Sequence, residues 1–165
     1  MKYGQIRQYD IANGPGIRTS IFVTGCSLNC PNCFNEDYQD PNFGLEWTKE
    51  TTDEIINYLK SDQITGLTIL GGEPFESASS LIKIVKDIKK EINKPIWIYS
   101  GYTFENLLKN NLSYQLLELV DVLVDGPFIE DKKDLTLAFR GSSNQRIIDV
   151  GESLKSNQVC LYNGY

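Results

Sequence analysis

The sequence predicts an α/β fold in which a mainly parallel sheet forms an open, partial (β/α) barrel. Short apolar segments rich in β-branched residues alternate with segments of helical apolar spacing. This order favours right-handed βαβ crossovers and therefore parallel strands. The chain has 165 residues, whereas a complete eight-fold barrel needs about 250. No repeat or linker divides the sequence, so we expect one domain over residues 1–165.

The first predicted strand is Arg18–Thr24, where RTSIFVT combines β-branched and aromatic residues before Gly25. A cysteine-rich loop follows directly. Residues 41–47 are turn-like, and Thr48 then opens a helix whose apolar residues are spaced to share one face.

The second predicted strand is Gly66–Leu70, and the segment Gly71–Pro74 breaks it sharply. Between residues 81 and 92, apolar residues recur at helical spacing with lysines mostly between them. This pattern is typical of an amphipathic helix packed against a sheet.

The third and fourth predicted strands are Pro95–Tyr99 and Val120–Val124, with a helix over Phe104–Leu119 between them. The sequence after Phe128 is less regular. In a sheet of parallel strands, ligands bind beyond the carboxyl ends. The residues that follow each strand are therefore the candidates for a site.

Composition excludes several classes of function. The net charge of −6 and pI near 4.7 disfavour nucleic acid as a partner, because that affinity comes mainly from Lys and Arg. Histidine is absent, which makes triad-type hydrolysis improbable. The amino terminus lacks a secretory signal pattern, and no apolar run reaches membrane-spanning length. We therefore expect a cytoplasmic protein with reduced thiols and no membrane partner.

Three of the four cysteines lie in one short stretch, as Cys26, Cys30 and Cys33 in the spacing C-x3-C-x2-C, and Cys160 is distant in sequence. Three thiolates from one loop can converge on a single centre. Such soft ligands select zinc, copper(I) or an iron-sulfur cluster.

Two interpretations of these cysteines remain open from the residues alone. In the first, Cys160 closes a four-ligand site, giving a zinc-stabilised binding module or a cluster that only carries electrons. In the second, three cysteines hold a four-iron cluster whose fourth iron is left for substrate, since an open position distinguishes catalytic from structural metals. A disulfide is disfavoured in a reducing compartment.

The cysteine spacing after the first strand resembles that of the radical S-adenosylmethionine superfamily, which folds as a partial α/β barrel. An aromatic residue next to the last cysteine, Phe34, and the segment Gly71–Pro74 are also similar to the superfamily pattern. The resemblance implies a 4Fe-4S cluster held by the three cysteines, with the amino and carboxylate groups of S-adenosylmethionine on the open iron.

The resemblance also assigns a binding site for S-adenosylmethionine. Around Gly72 the backbone can approach a ligand closely, and Glu73 offers an anionic acceptor to an ammonium group. Taken alone, this segment could be only a strand-to-helix turn. The expected site residues are Asn32, Cys33, Phe34, Gly72, Glu73, Ser100 and Asp125.

The segment Asp10–Arg18 resembles the amino-terminal segment of glycyl-radical-enzyme activases. Three further segments resemble those activases that act on anaerobic ribonucleoside-triphosphate reductase, and they are Trp97–Tyr102, Val122–Phe128 and Arg140–Arg146. The resemblance implies that a 5′-deoxyadenosyl radical takes a hydrogen atom from a glycine of the reductase large subunit. It also implies a low-potential electron donor such as a flavodoxin. Pyruvate formate-lyase or another glycyl-radical enzyme is the alternative partner.

Two stretches within these segments are expected to shape the mouth through which the partner's glycine loop enters. They are Asn13–Arg18 and Arg140–Arg146. Either segment could instead be an ordinary turn or a solvated loop.

Overall fold

Seven strands form a single sheet in the order β3-β1-β2-β4-β5-β6-β7 in the computed structural model, which describes residues 1–165. The strands are β1 Lys2–Asp10, β2 Arg18–Val23, β3 Leu45–Glu46, β4 Gly66–Gly71, β5 Ile96–Tyr99, β6 Val122–Asp125 and β7 Arg146–Asp149. The α-helices are α1 Lys49–Leu59, α2 Ala78–Lys89, α3 Phe104–Leu108, α4 Asn111–Leu117 and α5 Val150–Ser156. Short 3-10 helices span Glu36–Gln39, Pro74–Ser77 and Glu130–Lys132.

The sheet is mixed, which corrects the prediction of a mainly parallel one. Strands β2, β4, β5 and β6 run parallel, as predicted. However, β1 pairs antiparallel with β2 and β3, and β7 pairs antiparallel with β6. The reason is local connection: β1 and β2 form a hairpin, and β7 returns beside β6 without a helical crossover.

The predicted helix over Phe104–Leu119 is wrong in one respect, because two helices occupy this stretch. α3 ends at Leu108, and the side chain of Asn110 accepts a hydrogen bond from the Ser113 N–H at 3.0 Å. This is an N-cap, and it starts α4 as a separate helix. The apolar spacing continues across the break, so periodicity alone did not reveal it.

The start of α1 is confirmed at the predicted residue. Thr48 is its N-cap and accepts from the Thr51 N–H, while the Thr51 hydroxyl accepts from the Thr48 N–H at 3.2 Å. This reciprocal pair satisfies two backbone donors that the first helical turn leaves free.

Both faces of the parallel strands are buried, which explains why they read as continuous apolar runs. On one face, Ile, Leu and Val side chains of the strands pack against α1, α2 and α4 in the main core. On the other face, a smaller cluster surrounds Trp97 and is covered by Phe139 and Tyr162. No helix combines the length and apolar character of a membrane span.

A buried arginine joins the strands at their amino ends. Arg18 is 2% exposed, and its Nε donates to the Thr68 hydroxyl at 2.8 Å. Its Nη2 donates to the carbonyls of Leu67 and Pro95, each at 2.9 Å. Burial lowers the pKa of Arg18 to about 10. Arg18 therefore stabilises the end of the sheet opposite to the cysteines.

Candidate functional site

Residues 26–35, called the cysteine loop below, leave the sheet at the carboxyl end of β2. Gly25, at φ +97°, turns the chain out of the strand. The base of the loop is closed by two backbone hydrogen bonds, from Gly25 N–H to the Tyr38 carbonyl at 2.8 Å and from Cys26 N–H to the Gln39 carbonyl at 3.0 Å. The three thiols thus stand at the carboxyl end of the parallel strands, where ligands bind in such sheets.

Two asparagines bend the cysteine loop. Asn29 and Asn32 have φ of 50° and 56°, in the left-handed region that Asn tolerates better than most residues. Each directly precedes a cysteine, Cys30 or Cys33. These bends allow three cysteines within eight residues to line one cavity, together with Cys26.

A cavity of about 190 Å³ lies between the cysteine loop and the ends of β4, β5 and β6. It brings together most of the residues predicted for the site. Those that line it are Cys26, Cys30, Cys33, Phe34, Gly72, Glu73 and Ser100. Four other lining residues have no predicted role, namely Leu28, Asn35, Gln39 and Leu70, and Tyr99 lies in the segment Trp97–Tyr102.

Two predicted residues do not line this cavity. Asn32 is exposed and is not among the residues that line the cavity. Asp125 is 1% exposed and accepts from Arg146 Nη2 at 2.6 Å and from the Phe104 N–H at 2.8 Å. Asp125 therefore joins β6, β7 and the start of α3 in this structure.

The segment Asn13–Arg18 lies at the far end of the sheet from the cysteine loop, which corrects its predicted position at the mouth. It connects β1 to the amino end of β2, whereas the loop follows the carboxyl end of β2. The segment Arg140–Arg146 is near the cavity, and its residue Gln145 lines the wall beside Phe128.

Gly71 and Gly72 allow the backbone at the end of β4 to approach the backbone around the cysteine loop closely. Gly71 has φ +113°, and a Cβ there would lie 2.4 Å from the Val23 carbonyl oxygen. A Cβ on Gly72 would lie 2.6 Å from the carbonyl oxygens of Gly25 and Tyr38. The end of β4 is thereby pressed against the base of the cysteine loop. Larger residues here would push the two cavity walls apart.

Glu73 is a buried carboxylate with neutral partners only. It is 1% exposed and accepts from the Gly101 N–H at 2.7 Å, the Phe75 N–H at 2.9 Å and the Ser100 hydroxyl at 3.0 Å. No Lys or Arg forms an ion pair with it. Burial raises the pKa of Glu73 to about 7 despite these hydrogen bonds. Because buried charges are normally paired, this carboxylate suits a cationic ligand in the cavity.

The thiol of Cys26 is not an activated nucleophile. Burial raises its pKa to about 11, and the carboxylates of Glu73 and Glu76 add to that rise. Reactive cysteines are found near positive charge, which lowers the thiol pKa. Cys26 is suited to metal ligation, in which binding displaces the proton.

The fourth cysteine lies far from the other three. Cys160 pairs through its carbonyl with the Asp149 N–H at 2.8 Å, next to the amino end of β6. Its sulfur contacts the Ser156 hydroxyl at 3.4 Å on α5. The cysteine loop stands at the opposite end of the parallel strands. Cys160 is thus separated from the cavity by the length of the sheet.

The donor set fits an iron-sulfur cluster. Cys26, Cys30 and Cys33 are free thiols that line one cavity. No group of three or more Cys, Asp or Glu side chains converges as the ligands of one metal ion do. Iron-sulfur clusters are held by Cys thiolates, and three thiols lining one cavity are compatible with such a cluster.

Comparison with known proteins gives consistent relatives. Residues 12–148 match the family model described as a 4Fe-4S single cluster domain. The chain is 41% identical over 150 residues to the anaerobic ribonucleoside-triphosphate reductase-activating protein of Escherichia coli K12, covering 88% of this chain and 96% of that protein. The protein of the same name from Vibrio cholerae is 40% identical, covering 89% and 97%. That of Enterobacteria phage T4 is 36% identical, covering 89% and 93%.

Proposed function

Because the chain belongs to the family of anaerobic ribonucleoside-triphosphate reductase-activating proteins, we propose that it is a radical S-adenosylmethionine activase. Its substrate protein is the large subunit of anaerobic ribonucleoside-triphosphate reductase, on which it generates a glycyl radical. A low-potential donor such as a flavodoxin supplies its electrons.

The observation that carries this proposal is a cavity lined by three thiols and by a buried carboxylate that has no cationic partner. Cys26, Cys30 and Cys33 line one side and Glu73 the other. The remaining cysteine, Cys160, stands at the far end of the sheet. This distribution supports a cluster with three protein ligands and one open iron, the condition for catalysis at a metal.

In this function the three cysteines hold a 4Fe-4S cluster and the strand ends hold S-adenosylmethionine. When bound, the cluster supplies the electron that splits S-adenosylmethionine into methionine and a 5′-deoxyadenosyl radical, which takes a hydrogen atom from the partner's glycine. The chain's own residues bind, orient and enclose the reactants.

Glu73 receives the ammonium group of S-adenosylmethionine. A carboxylate offers about four acceptor positions, and three protein donors already fix its plane. The remaining capacity faces the cavity, next to the backbone of Gly72. Phe34, Leu70 and Tyr99 supply apolar surface that excludes water from the reactants. Roles for Asn32 and Asp125 in this pocket would require movement of the loop or of Arg146.

We also infer that residues 1–165 form one domain with the curvature of an open partial barrel of the radical S-adenosylmethionine type. All strands belong to one sheet, and both of its faces are covered. The clustered thiols favour a reducing compartment, so we propose a cytoplasmic location.

S-adenosylmethionine cleavage tests the chemistry. The anaerobically reconstituted protein, reduced with dithionite, should convert S-adenosylmethionine to 5′-deoxyadenosine. Replacing any one of Cys26, Cys30 or Cys33 with Ala should abolish this product, because three ligands are needed to keep the cluster. The matched control is Cys160→Ala, which should retain it. A fully loaded, reduced cluster that forms no 5′-deoxyadenosine would refute the assignment.

Electron paramagnetic resonance tests the partner. The protein, S-adenosylmethionine and the anaerobic reductase from the same source should together give the doublet of a glycyl radical. Pyruvate formate-lyase in place of the reductase should remain silent. A doublet only with pyruvate formate-lyase would move the assignment to that enzyme.

A further inference from the structure

Beyond its base, the cysteine loop is hydrogen-bonded to the rest of the molecule through one side chain, and the Phe34 ring packs against Phe128 with centroids 5.1 Å apart. From Ser27 to Phe34, the only hydrogen bonds to residues outside the loop are those that Ser27 donates to Glu76. The Ser27 N–H lies 3.2 Å from Glu76 Oε1 and 3.3 Å from Oε2. The Ser27 hydroxyl lies 2.8 Å from Oε2. Ser27 is the neighbour of Cys26, so this contact lies next to the first candidate ligand.

The same carboxylate also binds the opposite wall of the cavity. Glu76 Oε2 accepts from the Tyr102 hydroxyl at 2.8 Å. Tyr102 follows Gly101, whose N–H donates to Glu73. Glu76 lies within the 3-10 helix Pro74–Ser77, and Glu73 is the N-cap residue of the same helix. The two carboxylates therefore bind the turn between β5 and α3 at adjacent points.

We propose that Glu76 is a positioning residue that latches the cysteine loop to the turn between β5 and α3, and thereby fixes Cys26 relative to Glu73. The role of this latch in positioning a cluster ligand rests on the proposed function, whereas the contact between the loop and the turn does not. Glu76 acts through Ser27 and Tyr102 and does not line the cavity.

The strength of the latch comes from its charge and its number of donors. Hydrogen bonds to an ionised acceptor are stronger than neutral ones. Glu76 is itself exposed, so solvent weakens each bond. Two groups of Ser27 and one of Tyr102 share the carboxylate, however, and no other hydrogen bond joins Ser27–Phe34 to residues outside the loop. Removal of the carboxylate should free the part of the loop next to Cys26, while Phe34 keeps its ring contact with Phe128.

Amide hydrogen exchange in the metal-free full-length protein tests the latch. Glu76→Ala should make the Ser27 amide exchange roughly tenfold faster, because it loses its acceptor. Glu76→Gln keeps an acceptor oxygen and should stay within about threefold of the wild type. Amides of α2 such as Val85 should be unchanged in both variants, which shows that the fold is intact.

Glu91→Ala is the matched control, because it removes the same charge beyond the other end of α2, where Glu91 pairs with Lys60. It should leave Ser27 exchange unchanged. In the reconstituted protein, Glu76→Ala should also lose the visible absorption of the cluster to a chelator several-fold faster than the wild type.

An unchanged Ser27 exchange rate in Glu76→Ala would overturn the latch. An equal change in Glu91→Ala would also overturn it, since the effect would then be one of net charge. Failure of S-adenosylmethionine cleavage would instead remove the proposed function and leave the exchange result standing, so the two outcomes are distinguishable.

Discussion

At the scale of one residue, Glu73 shows how hydrogen-bond donors accommodate a buried carboxylate. Its hydrogen bonds come from two backbone amides and one hydroxyl, all at the ends of β4 and β5. These donors partly replace water, but burial still outweighs them and raises the pKa of Glu73 to about 7. An ammonium ligand would supply the missing positive charge and favour the ionised form.

Glu73 makes the stability of the metal-free protein depend on pH. The native pKa of about 7 lies above the ordinary value of 4.5. The native state therefore binds more protons than the unfolded state between these values, and stability falls as the pH rises through them. Glu73→Gln lacks this titration and leaves an amide N–H facing backbone donors, so it should be less stable at pH 5.

The difference in unfolding free energy between the wild type and Glu73→Gln should shrink by about 2 kcal/mol from pH 5 to pH 8. Urea denaturation at both pH values measures it. A difference that stays constant or grows would show that the carboxyl does not titrate in this range.

The sequence predicts residues with a local signature better than residues whose partners are distant. Cys26, Cys30 and Cys33 stand in a recognisable spacing, and the structure gathers them in one cavity. Glu76 has no such signature, because Ser27 is 49 residues and Tyr102 is 26 residues away in sequence. Its partners become neighbours only when β2, β4 and β5 are aligned in the sheet.

The same distinction holds for whole elements. Strands β2, β4, β5 and β6 were predicted because burial on both faces makes them continuously apolar. β1 was missed because it is only partly buried and carries polar residues throughout. β3 has only two residues, and β7 has only two buried residues between the charged Arg146 and Asp149. The antiparallel strands were therefore not predicted, and the sheet was expected to be more parallel than it is.

Arg146 ties three elements together beside the cavity. It contacts Asp125 on β6 at 2.6 Å and Glu105 on α3 at 2.8 Å. Asp125 is 1% exposed, so Arg146→Ala would leave a buried carboxylate without its cation. We expect a loss of about 3 kcal/mol in unfolding free energy, measured by urea denaturation.

Lys49→Ala is the control for this prediction, because Lys49 forms an exposed pair with Asp53. Its effect should stay below about 0.5 kcal/mol. A similar effect for both variants would mean that Arg146 contributes no more than a surface ion pair.

At the scale of the whole molecule, the carboxyl-terminal segment completes the sheet. Leu161 bridges to Ile148, and the Tyr162 N–H donates to the Ile147 carbonyl at 2.8 Å, which covers the edge of β7. The Tyr162 ring packs edge-on against Trp97 with centroids 5.6 Å apart. The segment thus protects both an exposed strand edge and the smaller core.

Tyr162→Ala should remove this cover from Trp97. We expect a loss of about 2 kcal/mol in unfolding free energy and a red shift of tryptophan emission as water reaches the indole. Tyr9→Ala is the control, since Tyr9 is 56% exposed and contacts only its neighbour Gln8 by side-chain hydrogen bond. If the emission maximum does not move, Tyr162 does not shield Trp97.

The small number of hydrogen bonds that attach the cysteine loop affects how metal binding and folding are coupled in this protein. Residues 28–34 form no hydrogen bond with the sheet, the helices or the carboxyl-terminal segment. Loss of a bound cluster is therefore expected to loosen this loop and to leave the scaffold folded. The free energy of metal binding is then partly used to order a few loop residues. The sheet and helices thus fold without depending on the order of the cysteine loop.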